Sequence, residues 1–257
     1  TTGSNDLRDT IQAVYTAGAQ LLLARNDTAC VTSNRLGEIA ALGNDADGTY
    51  QVGASIRFEA DANHGDDDKP TRIVFKTCAD GSATLTERMR LQSDGTLLLA
   101  CTSAPSSSNS GIQLKFDAAT PNMRISRDTT NNSQNIIFMN PNGTVGDIKT
   151  NASATSYNTS SDYRLKENAV LISDGIERLK TLKPYRFNFK VDPDKTVDGF
   201  FAHEVTAVPE AVSGEKDGEE MQTLDYSKVT PLLTAALQEA IAEIESLKIK
   251  VAALESA

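Results

Sequence analysis

A serine and a lysine lie five residues apart beside a long polar stretch, at Ser161 and Lys166. A serine hydroxyl is a poor nucleophile until a base removes its proton. A lysine can be that base when burial lowers its pKa from about 10.4 towards neutrality. The spacing fits an extended residue followed by a helical turn that folds the lysine back. Arg164 or nearby backbone N–H groups are candidates to stabilise an oxyanion. Spacing alone does not separate such a pair from ordinary surface residues.

The segment before this pair contains nothing that would build a core. Residues 150–161 are almost wholly Asn, Ser, Thr, Ala and Tyr. Such a composition predicts an extended, hydrated and accessible segment. If Ser161 and Lys166 are catalytic, this segment is the strand that presents the bond to be cut.

The N-terminal part has the pattern of an antiparallel β structure. Short apolar runs alternate with Asp-Gly pairs, which favour hairpin turns. The sequence predicts strands over residues 36–41, 54–60, 71–77, 87–92, 97–99, 112–116, 123–127, 135–139 and 145–148. In residues 55–59 and 72–76 apolar and charged residues alternate, so each strand has one wet and one dry face. The pattern predicts a sandwich, or a thin β-fibre whose dry faces meet across subunits.

Two further elements are expected near the start of the chain. Residues 6–15 carry apolar residues at helical spacing and predict a short amphipathic helix. Leu21–Leu23 predict a buried strand or helix end. A run rich in serine, residues 104–111, reads as a linker.

The C-terminal part differs, since its predicted elements are mixed. A helix is expected over residues 165–182 and an alternating strand over residues 185–190. Thr230 as N-cap and Pro231 at the first helical position begin a last helix that runs to about residue 255.

The last helix has apolar residues at alternating steps of three and four, which is a heptad seam. The seam residues are Leu237, Ala240, Ile244, Leu247, Val251 and Leu254. The pattern predicts self-association through a coiled coil, and Ile and Val at a with Leu at d nominally favour two strands. The alternative is a lone amphipathic helix packed on its own domain, since Ile241 and Ile249 lie off the seam.

Composition excludes several classes of function. The chain has 257 residues and a net charge of −10, which argues against nucleic acid or an anionic membrane as a partner. No apolar run approaches the roughly 20 residues that span a bilayer. Cys30, Cys78 and Cys101 show no paired spacing and predict buried free thiols. His64 in an acidic loop could contact a hard cation, although a solvated loop is the simpler interpretation, and we expect no metal and no cofactor.

Five ordered blocks carry a resemblance to a known family. They are Ser161-Asp162-x-Arg164-Leu165-Lys166-Glu167-Asn168, Leu182-Lys183-Pro184, Asp198-Gly199-Phe200-x-Ala202-x-Glu204-Val205, Pro209-Glu210-Ala211-Val212, and Asp225-Tyr226-Ser227-Lys228-x-x-Pro231-Leu232-Leu233. Together they resemble the C-terminal intramolecular chaperone of phage tailspikes and tail fibres, the endosialidase-type self-cleaving peptidase family. The resemblance covers residues 161–257. The preceding region is similar only in style to the distal β-rich part of a phage fibre.

The resemblance implies a homotrimer whose chaperone guides the β-rich fibre into an entwined assembly and then cuts itself off. Ser161 matches the nucleophile of the family and Lys166 its base, in a single-turnover serine endopeptidase acting in cis. The cut is expected beside Ser161, at the Ser161–Asp162 bond. Arg164, Glu167 and Asn168 match the motif and are expected to support the site. Entwined β structure has high contact order and folds slowly, which gives such a chaperone its purpose.

The resulting organisation has three parts and a trimeric, mainly β architecture. We expect a β-rich fibre domain over residues 1–103, a β-rich stem and extended linker over 104–161, and an α+β chaperone domain over 162–257 that ends in the coiled-coil helix. The expected location is the virion, after assembly in the host cytoplasm, with the chaperone fragment released.

Two alternatives remain open from the sequence. One is a fibre tip that binds a host-surface glycan or protein receptor and carries a trimerisation domain that does not cleave. The other concerns His203 and Glu204, which are adjacent and could form an acid–base pair. A structural histidine is the simpler interpretation, and the resemblance places both residues among those that support the chaperone fold.

Overall fold

The computed structural model describes residues 20–44, 46, 48–116 and 119–256. The helix predicted over residues 6–15 lies outside the described residues. The chain divides into two compact units, residues 1–160 and 161–257. Among the described residues no helix is long and apolar enough to cross a membrane.

The first unit contains a seven-stranded antiparallel sheet whose strands are arranged in chain order. Its strands are β1 (Arg35–Asn44), β2 (Tyr50–Ala60), β3 (Thr71–Thr77), β4 (Thr86–Leu91), β5 (Leu97–Leu99), β6 (Gly111–Lys115) and β7 (Asn122–Ser126). The predicted Asp-Gly turns close its hairpins, since Gly81 and Gly95 have φ of 71° and 81°. These strands form one open sheet, so the sandwich prediction is wrong for them. Each strand pairs with its neighbour in sequence, and such meanders need no second layer to satisfy their hydrogen bonds.

One face of this sheet is apolar across all seven strands. Directly paired residues form a first apolar row of Ile39, Ile56, Phe75, Met89, Leu99, Ile112 and Ile125. Two residues along each strand, a second apolar row contains Phe58, Ile73, Leu91, Leu97, Leu114 and Met123, with Gly37 on β1. We call the two rows together the apolar face. Its residues are half-buried or exposed in the single chain.

The opposite face of the sheet carries the charged residues, and it also holds two completely buried apolar side chains. Val74 and Leu98 are completely buried, and their cross-strand neighbours include Arg57, Arg90 and Gln113. Long side chains of this kind cover apolar neighbours with their aliphatic stems. The charges are paired, as the buried contact of 2.9 Å from Arg72 to Glu59 on adjacent strands illustrates.

A second, three-stranded sheet completes the first unit. It consists of β8 (Ser133–Asn140), β9 (Gly143–Asn151) and β10 (Ala154–Thr159), with β9 in the centre. Gly143, with φ of 94°, lies in the turn between β8 and β9. The polar segment before Ser161 is therefore a mostly exposed edge strand, and Ser160 continues it by donating its N–H to the carbonyl of Val145.

The second unit has a small core beneath short elements. These are a 3₁₀ turn Tyr163–Leu165, α1 (Gly175–Leu179), the hairpin β11 (Tyr185–Phe189) and β12 (Asp192–Gly199), 3₁₀ turns Ala202–Glu204 and Pro209–Ala211, the pair β13 (Val212–Ser213) and β14 (Thr223–Leu224), a 3₁₀ turn Tyr226–Val229 and α2 (Thr230–Glu255). The core residues are Leu182, Val205, Val208, Ala211, Val229 and Leu232. Only the first turns of α2 reach this core.

The helix predicted over residues 165–182 is wrong for most of its length. Helix α1 covers only Gly175–Leu179 of this range, and the chain between Lys166 and α1 is extended or irregular. Asn168 has φ of 53°, which interrupts any helix. Val170 and Leu171 are consecutive and 88% and 92% exposed, so no buried helix face forms.

Three further predictions need correction, namely those for Leu21–Leu23, for Thr230 and for the burial of the cysteines. Leu21–Leu23 are exposed and irregular, although Leu23 packs against Gly37, where a Cβ would lie only 2.6 Å from it. Thr230 is not the N-cap of α2, because the chain enters that helix directly from a 3₁₀ turn that Asp225 caps. The three cysteines are free as predicted, but among them only Cys101 is buried.

Candidate active site

The side chains of Ser161 and Lys166 meet. Lys166 Nζ donates a hydrogen bond of 2.8 Å to Ser161 Oγ. A single 3₁₀ turn, Tyr163–Leu165, reverses the chain between them, with Asp162 and Lys166 extended on either side. This single 3₁₀ turn therefore returns the side chain of Lys166 to Ser161, whereas the sequence predicted that Lys166 lies at the start of a long helix.

Asp162 and Arg164 hold this turn. The Asp162 carboxylate accepts hydrogen bonds from the N–H, Nε and Nη2 of Arg164 at 2.8, 2.9 and 2.7 Å. The side-chain and then the backbone hydrogen bond from Arg164 lower the pKa of Asp162. The same side-chain bond raises the pKa of Arg164. Asp162 engages the guanidinium of Arg164 through Nε and Nη2, and this contact supports the turn.

The pair is open to solvent in the single chain. Ser161 and Lys166 are both exposed. Tyr163 and Leu165, within the turn between them, are 82% and 72% exposed. Large apolar side chains beside an exposed polar pair leave a surface that another protein surface could cover and dehydrate.

The other residues of the motif contribute in different ways. Glu167 is exposed beside Lys166. Asn168 adopts a left-handed backbone conformation, which asparagine tolerates better than most residues.

His203 and Glu204 lie in an aromatic and charged cluster next to β11. His203 stacks on Phe201, with ring centres 6.0 Å apart. Glu204 accepts a hydrogen bond of 3.2 Å from Lys183, and a hydrogen bond from Tyr185 is the main cause that lowers the pKa of Glu204. These contacts give both residues structural neighbours within the second unit.

The acidic loop around His64 uses a lysine of the chain itself as its cation. Lys69 Nζ contacts the backbone carbonyls of Gly65, Asp66 and Asp68. No group of three or more histidine, cysteine or acidic residues forms a candidate metal site among the described residues. The loop thus holds an ammonium group of its own chain against these backbone carbonyls.

A contact that the sequence did not indicate joins α2 to α1, the helix that follows the Ser161–Lys166 pair in the chain. The Glu239 carboxylate accepts hydrogen bonds from the N–H groups of Gly175 and Ile176 at 2.7 and 2.8 Å. It caps the N-terminus of α1, the helix that follows the irregular segment after Lys166. A Cβ on Gly175 would lie 2.5 Å from the backbone nitrogen of Ala236, so glycine is needed there. The only local signal was a glycine at a helix start.

The predicted coiled-coil seam is uncovered. Leu232, Ala235 and Ala236 in the first turns of α2 are buried. Beyond them, the large seam residues are exposed by 49–78%: Leu237, Ile244, Leu247, Val251 and Leu254. Ala240 is half-buried. The alternative of a helix packed along its own domain therefore does not describe this part of α2.

The first part of the second unit matches a known family model. Residues 161–213 match the family model described as chaperone of endosialidase. The match begins at Ser161, and the resemblance predicted from the sequence is thereby confirmed for this segment. No curated protein matches the chain.

A similar solved structure is the carboxy-terminal domain of the bacteriophage T5 L-shaped tail fibre with its intramolecular chaperone domain. It shares 15% sequence identity with this chain, with a TM-score of 0.27. The alignment covers 93% of this chain and 60% of that chain, so this chain spans about 60% of the length of the structure it matches.

Proposed function

We propose that this chain is the distal region of a phage tail fibre or tailspike whose second unit is a self-cleaving intramolecular chaperone. In this proposal three copies assemble through the second unit, which guides their β-rich first units to pack together, and each chain is cut beside Ser161. The observation that carries the proposal is the hydrogen bond of 2.8 Å between Lys166 Nζ and Ser161 Oγ. That pair lies at the first residues of the segment that matches the chaperone family and at the boundary between the two units.

The chemistry follows from a serine nucleophile and a lysine base. Neutral Lys166 takes the proton of the Ser161 hydroxyl, and the oxygen attacks the carbonyl carbon of the scissile peptide. The C–N bond breaks, the leaving amine receives the proton, and an ester to Ser161 remains. Water hydrolyses the ester, which restores the hydroxyl and completes one turnover.

Assembly would supply the condition that the single chain lacks. A lysine is a base only when neutral, and burial favours the neutral form. We propose that a neighbouring copy covers Tyr163 and Leu165, the exposed residues of the turn, and thereby removes water from Ser161 and Lys166. Cleavage would then occur only after assembly.

The uncovered seam of α2 supports assembly of identical chains. With Leu237 at a, Glu243 and Lys250 fall at g, while Lys248 and Glu255 fall at e. In a parallel coiled coil each g residue faces the e residue five positions later on the next helix, which pairs Glu243 with Lys248 and Lys250 with Glu255. Both pairs have opposite charge, so the sequence of α2 favours parallel, in-register copies. The proposed number of three comes from the family resemblance.

Release of the chaperone would make the assembly persistent. Once the second unit leaves, the fibre has lost the element that brings copies together reversibly. Its lifetime is then governed by the unfolding barrier and no longer by the equilibrium that formed it.

The test compares wild-type protein with Ser161→Ala, and uses Ser160→Ala as the matched control. On a denaturing gel we expect wild-type and Ser160→Ala to run as two fragments and Ser161→Ala to stay full length. Light scattering should give the same assembled mass for Ser161→Ala as for the freshly folded wild-type chain. Cleavage of Ser161→Ala at the wild-type rate would refute the serine mechanism. An assembled but uncut wild-type chain would favour the trimerisation domain that does not cleave.

Mass spectrometry of the released fragment identifies the bond. We expect it to begin with Asp162. Because the Oγ of Ser161 reaches the carbonyl carbon of its own residue only through a strained small ring, such a cut would use the hydroxyl of a neighbouring copy. It would then act between chains and not in cis, as the resemblance implied. A fragment that begins with Ser161 would instead place the cut one bond earlier, where the same chain can supply the hydroxyl.

A further inference from the structure

Within the part of the chain that the structure describes, no element covers the apolar face of the seven-stranded sheet well enough to bury its large side chains. Its two rows contain thirteen large apolar residues, and all of them are half-buried or exposed in the single chain. Ile39, Leu91 and Met123 are exposed by 48%, 39% and 56%. On the opposite face Val74 and Leu98 are completely buried. The sheet therefore buries side chains more completely on its charged face than on its apolar face.

The apolar face is too large to be explained by the chance exposure of scattered single side chains. Seven strands spaced by about 4.8 Å place β1 and β7 roughly 29 Å apart, and the two rows are about 7 Å apart. With the side chains included, the face covers on the order of 500 Å², which is in the range of the largest apolar patch on typical monomers. The two rows contain no charged or polar side chain.

We propose that this apolar face is the interface through which copies of the first unit pack against one another in the assembled fibre. This inference rests on the proposed assembly of several copies and adds the surface that the first unit uses. Interfaces of obligate homo-oligomers resemble a domain core cut in half, and the two rows have that composition. A different protein that recognised this surface specifically would be expected to contact polar side chains as well as apolar ones.

A second copy of this sheet also fits the geometry. Stacked sheets pack about 10 Å apart with interdigitating side chains. Rows that repeat at the strand spacing on one copy meet rows with the same repeat on another. The seam of α2 brings identical chains together, so the sheet of a second copy is held at high effective concentration beside the first.

One segment of the chain itself is the rival occupant. Residues 1–19 lie outside the described residues and include Leu7, Ile11, Val14 and Tyr15 at helical spacing. Leu23, just after that segment, packs on Gly37 at the β1 end of the second row. A test must therefore separate another copy from this segment.

Chemical cross-linking makes the separation. In a Ser161→Ala chain with Cys30, Cys78 and Cys101 changed to alanine, Met89→Cys places a thiol in the middle of the first row. Arg88→Cys is the matched control, since Arg88 is the preceding residue of β4 and is exposed. With a bis-maleimide that spans about 10 Å, Met89→Cys should give covalently linked chains on a denaturing gel and Arg88→Cys single chains.

The outcomes divide cleanly between the two proposals. A single-chain mass of the Ser161→Ala background in light scattering would refute assembly itself. An assembled mass with equal or absent cross-linking at the two positions would refute the apolar interface and leave the cleavage proposal intact. Cross-links at Met89→Cys that appear only after deletion of residues 1–19 would assign the face to that segment and refute the proposal.

A charge in the first row gives an independent measurement on the cleaving chain. After release of the second unit, the wild-type and Arg88→Glu first units should keep their assembled mass in light scattering. The Met89→Glu first unit should fall to the mass of one chain, with its strand content checked by circular dichroism. A Met89→Glu fragment that remains assembled would contradict the proposal.

Discussion

At the scale of single residues, the contact between Ser161 and Lys166 exists before any partner is present. The hydrogen bond of 2.8 Å sets the geometry, while the exposure of both residues withholds the dry surroundings that lysine needs as a base. Geometry and activation are thus separate properties of this pair. A substitution can remove one without the other.

Lys166→Arg is the change that makes this separation. Arginine keeps a positive charge and a hydrogen-bond donor, but its pKa lies so far above that of lysine that it does not give up a proton in a protein. We expect cleavage to slow by at least roughly 100-fold, the usual contribution of a general base, with the assembled mass unchanged. The measurement is the fraction of cut chain over time on a denaturing gel. Lys180→Arg, at an exposed lysine outside the motif, should cleave like wild-type protein, and an active Lys166→Arg chain would exclude lysine as the base.

The sequence predicted the pair but not the way its members meet. Serine and lysine at this spacing, together with the family blocks, identified both residues. The 3₁₀ turn depends on the contact between Asp162 and Arg164. The sequence does not reveal this contact, because each of the two charged side chains has several possible partners. The contact from Glu239 to α1 joins residues more than sixty positions apart, so no local pattern could reveal it.

At the scale of elements, close packing of α1 on α2 is the feature most sensitive to a small change. Gly175→Ala would place a Cβ 2.5 Å from the backbone nitrogen of Ala236, and backbone cannot move aside as a flexible side chain can. We expect a loss of about 1–3 kcal/mol in the stability of the second unit, as for other overpacked sites. Thermal unfolding of the full Ser161→Ala chain measures it. Gly53→Ala, where a Cβ meets nothing within 4 Å, is the control and should leave the transition nearly unchanged.

The ion pairs of the first unit predict a pH dependence. Burial would raise the pKa of Asp61, but hydrogen bonds from Ser93 and Arg72 outweigh it and lower that pKa. A carboxyl with a lowered pKa in the folded state stabilises the fold above its unfolded pKa of about 3.9, and this contribution is lost as pH falls through the folded value. We therefore expect Asp61→Asn to lower the melting temperature of the first unit by a few degrees at pH 7, for a loss of about 1 kcal/mol.

The difference between Asp61→Asn and wild-type protein should shrink as the pH is lowered below 3.9. Melting curves of both proteins across this range give the result. Asp80→Asn, at an exposed position in the loop before β4, should match wild-type protein throughout. A difference that stays constant with pH would show that Asp61 acts through its shape and not through its charge.

Elements were easier to predict where one period dominated. The bounds of β3 and β5 agree with the predicted strands because alternation and Asp-Gly turns indicate the same registers. The prediction failed between Lys166 and α1, where the spacing of apolar residues from Val170 to Leu179 suggested one helix. In the single chain Val170 and Leu171 are largely uncovered. Which partner covers such residues is not encoded in local spacing.

At the scale of the whole molecule, the seam of α2 should control both assembly and cleavage. Leu247→Glu places a charge in the middle of the seam, so we expect loss of the assembled mass and loss of cutting together. Ile249→Glu is the matched control, because Ile249 is 72% exposed and lies off the seam. Light scattering and a denaturing gel on the same samples provide both readouts. A Leu247→Glu chain that is monomeric and still cut would uncouple cleavage from assembly.

The chain order of the seven-stranded sheet changes what the slow step of fibre formation can be. Every strand from β1 to β7 pairs with its sequence neighbour, so its contacts are local and the sheet can form without long-range chain threading. An entwined fold would have given a first-order delay that is independent of protein concentration. A meander whose copies must collide gives a reaction of higher order, in which diluting the chains lengthens the half-time of cutting while strand formation by circular dichroism keeps its rate. The cut would then act as a clock that starts when chains meet and not when they fold.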